Sequence, residues 1–418
     1  MYLRGSAPPS VAAPPQKLDN EGQWFTWVVP RTVRTIATSG RQPPRYPSIS
    51  LFTGAYGLDL GLERAGFEVR ACVEKDPLAV QTVLLNRPSL REKVLEKDIR
   101  DVKPSELLRA AGLRRGEAAL VSGGPPCTPF STAGKRRSVS TEDGQLFQSY
   151  LNLVWAVRPT FFIFENVKGI LSSALWHLPL RRRRHQRAAP GGKKARLGSG
   201  WEYIHDRFEK TLRAGRGNGY DIHVWQLNAR DFGSAQDRKR VVIVGARGGY
   251  QVRAPLPTVT ERRTLRDVIG HLNGHHETPR VDYMPYDRTR YHVFSQGLVK
   301  AGENWEALST YWRRKVMGHA LESWGGRVGF ARRLSWDCPS PTITTNPRGR
   351  ATNMCHPDKP RPLTVVECSL LQGFPEDWRF APESPTRCYT QIGNAVTIEL
   401  AEALGMSLVE ALRRGAST

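Results

Sequence analysis

An α/β fold built on a mostly parallel, doubly wound sheet is predicted by three observations on this 418-residue sequence. Short apolar runs recur from Ser48 onward and end in Gly, Pro or acidic turns. Windows of helical spacing alternate with those runs. Most of the runs are apolar throughout, as strands buried on both faces are. A chain alternating in this way lays helices on both sides of a parallel sheet, and ligands bind at the carboxyl ends of its strands.

The elements follow in order. Residues 1 to 45 open with a Pro/Ala stretch from Ala7 to Pro15 and a short apolar patch at Trp24 to Val29, and read as an extension. Strands are predicted at Ile49 to Phe52, Val69 to Val73, Ala118 to Val121, Phe161 to Phe164, Ile222 to Gln226 and Val241 to Val244. Helices are predicted at Leu58 to Ala65, Pro77 to Asn86, Gln145 to Val157 and Tyr203 to Leu212. Together these form a cofactor-binding domain over 46–250. The run Arg181 to Arg184, continuing to Arg187, Lys193, Lys194 and Arg196 around Pro190 and two glycines, reads as a flexible basic insertion at about 178–200. Residues 251–345 break the rhythm, with many Arg, His, Tyr and Trp and few clean windows, and are assigned to a smaller second domain. Regularity returns over 346–418, at Leu363 to Leu371 and in Val396 to Leu412. There Val396, Leu400, Leu404, Leu408 and Leu412 share one face that must pack on something, most simply the first domain.

Composition narrows the function classes. With 39% hydrophobic and 24% charged residues the chain is globular, and no stretch nears the roughly 18 apolar residues that span a bilayer. The N-terminus does not read as a secretory signal, so an intracellular location is expected. A net charge of +23 suits a polyanionic partner, and nucleic acid is the commonest one inside cells. The six cysteines form no Cys-x-x-Cys pair, which argues against a zinc site or a disulfide framework; no metal is expected.

Several stretches carry chemistry. Phe52-Thr-Gly54-Ala-Tyr-Gly57 follows the first strand and opens a helix, where backbone must approach a cofactor closely and side chains would obstruct. Such a turn also occurs for structural reasons alone. The second strand ends at Glu74, placed to accept hydrogen bonds from ribose hydroxyls. Asp98 could accept from an adenine amine with Ile99 against the ring; the bland reading is a turn-capping aspartate. Ser122-Gly-Gly-Pro125-Pro126-Cys127-Thr-Pro129-Phe130-Ser131 displays a cysteine on a loop stiffened by three prolines, which a space-filling thiol would not require and a positioned nucleophile would. Glu165-Asn166-Val167 then brings a carboxyl group to the same sheet edge. Gln236-Asp-Arg238-Lys-Arg240 sets two alternating arginines by the last strand, and alone would be a charged edge.

In this order these motifs resemble the DNA (cytosine-5) methyltransferases of bacteria. The resemblance runs from Ser50 to the C-terminal helix and includes Arg361-Pro-Leu-Thr364 to Glu367, Leu371-Gln372-Gly-Phe-Pro375 and Gln391-Ile-Gly393-Asn394-Ala-Val396. It implies a Rossmann-like S-adenosylmethionine-dependent methyltransferase fold, with 251–345 as a target-recognition domain closed by Pro341 to Thr344. Cys127, Glu165, Arg238 and Arg240 become the catalytic set, with Arg240 holding the cytosine carbonyl oxygen and Arg238 near it and in reach of phosphate. S-adenosylmethionine falls to Phe52, Gly54, Gly57, Glu74, Lys75, Asp98, Ile99, Pro126, Asn394 and Val396. DNA falls to Ser131, Arg181, Arg182, Arg183, Arg184, Thr342 and Thr344, with base readout expected among Asn273, Tyr283, Tyr286, Trp305 and Trp312. Tyr56 stands where the family usually has glycine, and Thr128 where it usually has glutamine.

The implied reaction methylates carbon 5 of a flipped-out cytosine in a specific duplex sequence, through a Cys127 adduct. The usual setting is a bacterial restriction-modification system: a monomer on DNA in the cytoplasm, with an endonuclease encoded separately. A transfer-RNA cytosine-5 methyltransferase shares the Pro-Pro-Cys and Glu-Asn-Val signatures, and a catalytically silent nucleic-acid-binding relative is the reading from another class. The long 251–345 segment favours DNA, and intact Cys127, Glu165, Arg240 and Asn394 argue against silence.

Overall fold

The apolar runs assemble into one sheet in the computed structural model, which describes residues 45–126, 142–173, 198–212, 219–272, 288–322, 328–381 and 384–416. Cys127, Thr128, Ser131, the basic run with Arg181 to Arg184, and Asn273, Tyr283 and Tyr286 lie outside the described residues, as does the expected extension up to residue 44.

The first half alternates as the apolar pattern requires. Strand β1 (Tyr46–Leu51) leads to helix α1 (Gly57–Ala65), β2 (Phe67–Glu74) to α2 (Pro77–Asn86), and β3 (Val94–Glu96) to α3 (Pro104–Ala111). Then come β4 (Leu120–Gly123), α4 (Glu142–Val157), β5 (Phe161–Val167), α5 (Ser199–Leu212) and β6 (Tyr220–Asn228). The two-residue β7 (Gln236–Asp237) precedes β8 (Lys239–Arg247). Short helices α6 (Leu265–Ile269), α7 (Arg288–Ser295) and α8 (Thr310–Met317) and the two-residue β9 (Ser340–Pro341) follow, then α9 (Val365–Leu371), α10 (Pro385–Asn394) and α11 (Ile398–Arg414).

The seven-stranded sheet has the order β3-β2-β1-β4-β5-β8-β6. Its pairs are parallel except β8, which runs antiparallel to both β5 and β6. The order reverses between β1 and β4, and a ligand crevice opens at such a switch point. Because β8 is reversed, its first residues reach the edge where the other strands end: Arg240 pairs with Val167.

Period-two alternation sends successive side chains to opposite layers. Phe162 and Phe164 pack with α4 and α5 residues such as Tyr150, Val154 and Phe208, while Phe161 and Ile163 pack with Leu58 and Leu62 of α1 and Leu400, Leu404 and Leu408 of α11. Helices α1 and α11 lie close because small residues meet: a Cβ on Gly61 would stand 2.4 Å from Ala401 Cβ, and one on Gly405 2.5 Å from Ala65 Cβ. Strand β6 is the exception to burial on both faces: it is the sheet's edge, and between the buried Tyr220 and Asn228 its residues are exposed or half-buried. Over 288–355 a small separate core gathers Tyr291, Val293, Phe294, Val299, Leu308, Ala331 and Cys355.

Candidate active site

The carboxyl ends of β1 to β5 and the start of β8 surround one cavity of about 340 Å³, lined by Phe52, Gly54, Gly57, Glu74, Lys75, Asp98, Ile99, Pro126, Glu165, Arg238, Arg240, Asn394 and Val396 among others. Every described residue expected to hold cofactor or to act on substrate thus meets here, although the set spans 345 positions from Phe52 to Val396.

One flank is the glycine loop. Phe52 and Tyr56 have φ of 55° and 75°, in the left-handed region that side chains disfavour. Glu74 secures this loop: its Oε2 accepts from the Gly54 amide at 2.8 Å, and its Oε1 from the Lys75 and Asp76 amides at 2.8 and 2.9 Å. A carboxylate offers about four acceptor positions, so capacity remains for a ribose hydroxyl. Gly57 cannot be larger, since its Cβ would lie 2.7 Å from the Val396 carbonyl oxygen. Tyr56 stands in the position usual for glycine by filling the core: it is fully buried, stacks on Trp378 at 6.2 Å and donates from its hydroxyl to Glu63 at 2.7 Å.

Asp98 caps the turn that follows β3. It accepts from the Arg100 amide and guanidinium and faces Lys75 Nζ at 3.4 Å, and the Arg100 hydrogen bonds hold its carboxyl well below the usual range. The capping role and the cavity position coexist, with Ile99 buried beside it. A carboxylate with a spare acceptor position, an apolar residue beside Asp98 and an unobstructed glycine backbone suit an adenosyl group.

The other flank holds the charged pair. Arg240 Nε lies 2.6 Å from Glu165 Oε1, and both side chains are about nine-tenths buried. Gly124 backs onto this carboxyl group, since a Cβ there would stand 3.0 Å from Glu165 Oε2. Asn166 Nδ2 donates to the Pro125 carbonyl at 3.2 Å and so ties the Gly-Pro-Pro segment to the end of β5.

Arg238 departs from expectation. It neither forms a charged edge nor reaches toward phosphate: it is 2% exposed and donates to the carbonyls of Ile343 (2.9 Å), Gly393 (2.8 Å) and Ala395 (2.8 Å). Gln236 accompanies it, accepting from the Ile343 amide at 3.0 Å and donating to Gln372 Oε1 at 2.8 Å, while Gln372 donates to the Ala395 carbonyl. Of Gln236, Arg238 and Arg240, the first two join distant segments and Arg240 alone pairs with the acid.

The DNA-side expectations divide. Thr342 donates to the Asp237 carbonyl at 2.8 Å, and Thr344 accepts from the Asn346 amide. The Thr344–Thr345 peptide presses on Gly393, whose Cβ would come within 2.5 Å of it. Trp305 and Trp312 carry cations on their rings, Arg313 at 5.4 Å and Lys315 at 5.4 Å respectively.

Asp59 and Gln391 are among the cavity residues that drew no separate notice in the sequence. Asp59 is buried in α1 and accepts from Ser50 Oγ at 2.7 Å and Ser122 Oγ at 3.4 Å; burial pushes its carboxyl up to about 7, against the lowering effect of the Ser50 hydrogen bond. An acid one helical turn after a glycine loop reads as ordinary first-turn chemistry, so no signal separated it. Gln391 lies within a quoted motif, but nothing in the letters says that it is buried.

None of the five described cysteines lines the cavity. Burial raises the thiols of Cys72, Cys368 and Cys388 and pushes Cys355 up to about 12, so each is held as an inert thiol.

The model of the C-5 cytosine-specific DNA methylases matches residues 46–177 and 203–410. The Type II methyltransferase M.Sau96I of Staphylococcus aureus is 33% identical over 382 residues, covering 90% of this chain and 78% of its own. M.PspPI of a Psychrobacter strain, also a Type II methyltransferase, is 32% identical over 381 residues, covering 89% and 81%. Among solved structures, a prophage-encoded Escherichia coli protein superimposes with a TM-score of 0.60 at 22% identity, over 88% of this chain and 99% of that one. The Entamoeba histolytica methyltransferase EhMeth does so with 0.55 at 13%, over the same shares, and these two speak for the fold.

Proposed function

Since the chain belongs to the C-5 cytosine-specific DNA methylases and is a DNA cytosine-5-methyltransferase that uses S-adenosylmethionine, we propose that it methylates a flipped-out cytosine through a covalent Cys127 adduct. The observation that carries this reading is the buried Glu165–Arg240 pair at the end of β5, backed by Gly124 and opening on the cavity that also holds Glu74.

Carbon 5 of cytosine is a weak nucleophile until something adds at carbon 6. The Cys127 thiolate forms that carbon–sulfur bond, leaving carbon 5 electron-rich. Glu165 hydrogen-bonds the ring nitrogen, and Arg240 donates to the neighbouring carbonyl oxygen, where negative charge develops. Bound S-adenosylmethionine supplies the electrophilic methyl group. A base, water included, then takes the carbon 5 proton; the electron pair re-forms the ring double bond and expels the thiolate. Glu74 holds the ribose, and Phe52, Ile99 and Val396 bound the adenosyl group with apolar surface. Arg238 acts as a positioning residue, keeping the Gly393–Ala395 backbone against β8.

A stacked cytosine hides its ring face, so flipping costs a few kcal/mol, which contacts elsewhere offset. We assign base readout to 251–345 and phosphate contact to Arg181 through Arg184. The setting is bacterial restriction-modification with a separate endonuclease.

Purified protein is expected to transfer labelled methyl to duplex DNA without added metal. With 5-fluorocytosine at the target it forms a stable covalent complex, because fluorine cannot leave as a proton does. Trapping that persists in Cys127→Ala names the wrong nucleophile.

A further inference from the structure

Gln391 lies in the last turn of α10, is 6% exposed and lines the same cavity as Glu165 and Arg240. Neither its Nε2 nor its Oε1 has a hydrogen-bond partner among the described residues. Buried amides are ordinarily paired, and an unpaired one calls for a reason. The other buried amides of this region meet that rule: Gln236 and Gln372 bond one another, and Asn166 bonds Pro125. Two amide oxygens elsewhere, of Asn353 and Gln148, are also unpaired, but each of those amides bonds through its nitrogen, whereas Gln391 bonds through neither atom.

The position says which ligand. From Gln391 the backbone runs to Gly393, pressed on the Thr344–Thr345 peptide, and on to Val396, whose carbonyl meets Gly57 of the glycine loop. Gln391 thus stands at the end nearer the segment that closes the recognition region, beyond the residues that touch the glycine loop. Glu74 and Asp98, at the ends of β2 and β3, lie across the sheet from β8, where Arg240 pairs with Glu165. An amide offers a donor and an acceptor side by side. The edge of cytosine likewise presents acceptors at its ring nitrogen and carbonyl oxygen beside a donor amine. Arg240 can only donate, so a neutral group of both kinds completes the set.

We propose that Gln391 is a further substrate-binding residue, whose side-chain amide hydrogen-bonds the target cytosine once it has left the duplex. The proposal rests on the reading of the cavity given above.

The test compares wild-type protein with Gln391→Met, which keeps the volume and removes both polar atoms. Three quantities are read: cofactor dissociation constant, single-turnover methyl transfer, and affinity for duplexes carrying cytosine or an abasic site at the target. The variant is expected to bind cofactor within about twofold of wild type, and to transfer methyl at least about tenfold more slowly, one hydrogen bond being worth roughly that factor. It should bind cytosine duplex more weakly while matching wild type on the abasic duplex. Its Tm should equal or exceed that of wild type, since an apolar replacement leaves no unpaired amide. A fallen Tm would show the amide already satisfied in the free protein, and would overturn the proposal. So would an equal loss of affinity on the abasic duplex, a loss confined to cofactor binding, or an unchanged transfer rate. Absence of transfer by the wild-type protein would overturn the reading of the cavity as well, whereas a ratio near one with active wild type removes Gln391 alone.

Discussion

Replacing Arg238 by methionine separates two accounts of this residue with one pair of measurements. In wild type its guanidinium donates to three main-chain carbonyls, of Ile343, Gly393 and Ala395, at 2.8 to 2.9 Å. Methionine fills much of the volume of a site that is 2% exposed but strands the Ile343 and Gly393 acceptors, while the Ala395 carbonyl keeps its bond from Gln372. Each stranded acceptor costs about 1–3 kcal/mol, so the two together should come to about 4 kcal/mol. For a chain of this size that corresponds to a fall in Tm of about 5 °C. Thermal unfolding followed by circular dichroism measures it. Salt titration of DNA binding supplies the second readout: a lost phosphate contact would flatten the slope of log affinity against log salt by about 0.9, whereas a buried clamp leaves the slope unchanged. A variant whose Tm stays within about 2 °C of wild type while its slope flattens would refute the clamp and restore the phosphate-contact role.

Three further outcomes are expected. Glu165→Gln should keep DNA binding within a few-fold but lose about 10²- to 10⁴-fold in kcat, as removal of a positioned proton donor does; near-normal turnover removes Glu165 from the mechanism. Tyr56→Gly would relieve a φ of 75° worth about 1 kcal/mol, yet it deletes a fully buried ring stacked on Trp378, for a net loss of about 3 kcal/mol. A raised Tm would show that backbone strain outweighs packing there. Asp59, held up at about 7 by burial against an ordinary 3.8, favours the fold while protonated. That stabilisation is full below pH 3.8 and lost as pH rises through 7, about 4 kcal/mol in all. Asp59→Asn should therefore lose less stability than wild type between pH 5 and 8, measured by urea unfolding. His356, which burial pushes down to about 4, loses stability as pH falls below 6.5, equally in both proteins, so the difference isolates Asp59. Parallel profiles would count against a protonated Asp59.

Much of the site could be read from the sequence because its parts are local. A glycine loop after an apolar run and an acid at a strand end need only neighbouring residues, and the parallel topology then carries every strand end to one edge, which is why Phe52, Glu74, Asp98 and Glu165 meet. Strand β6 shows the limit of local reading: Ile222 to Gln226 has apolar members, and its place at the end of the sheet leaves Ile222 and Trp225 half-buried and Val224 exposed.

Arg238 and Arg240 mark where local reading ends. Two positions apart in the same charged motif, they are equivalent in the letters. The reversal of β8 brings Arg240 opposite Val167 and within 2.6 Å of Glu165, while Arg238, just before the strand, turns to carbonyls more than a hundred residues away. Gln236 and Gln391 divide likewise, one paired with Gln372 and the other, in the cavity, without a partner among the described residues. The sequence by itself determined the alternation of elements, the glycine loop and the kinds of groups at the strand ends, since these follow from hydrophobic period and backbone freedom. Only the tertiary structure decided which polar side chain holds the fold and which faces the cavity, because a hydrogen bond is made wherever packing places a partner, at any separation along the chain.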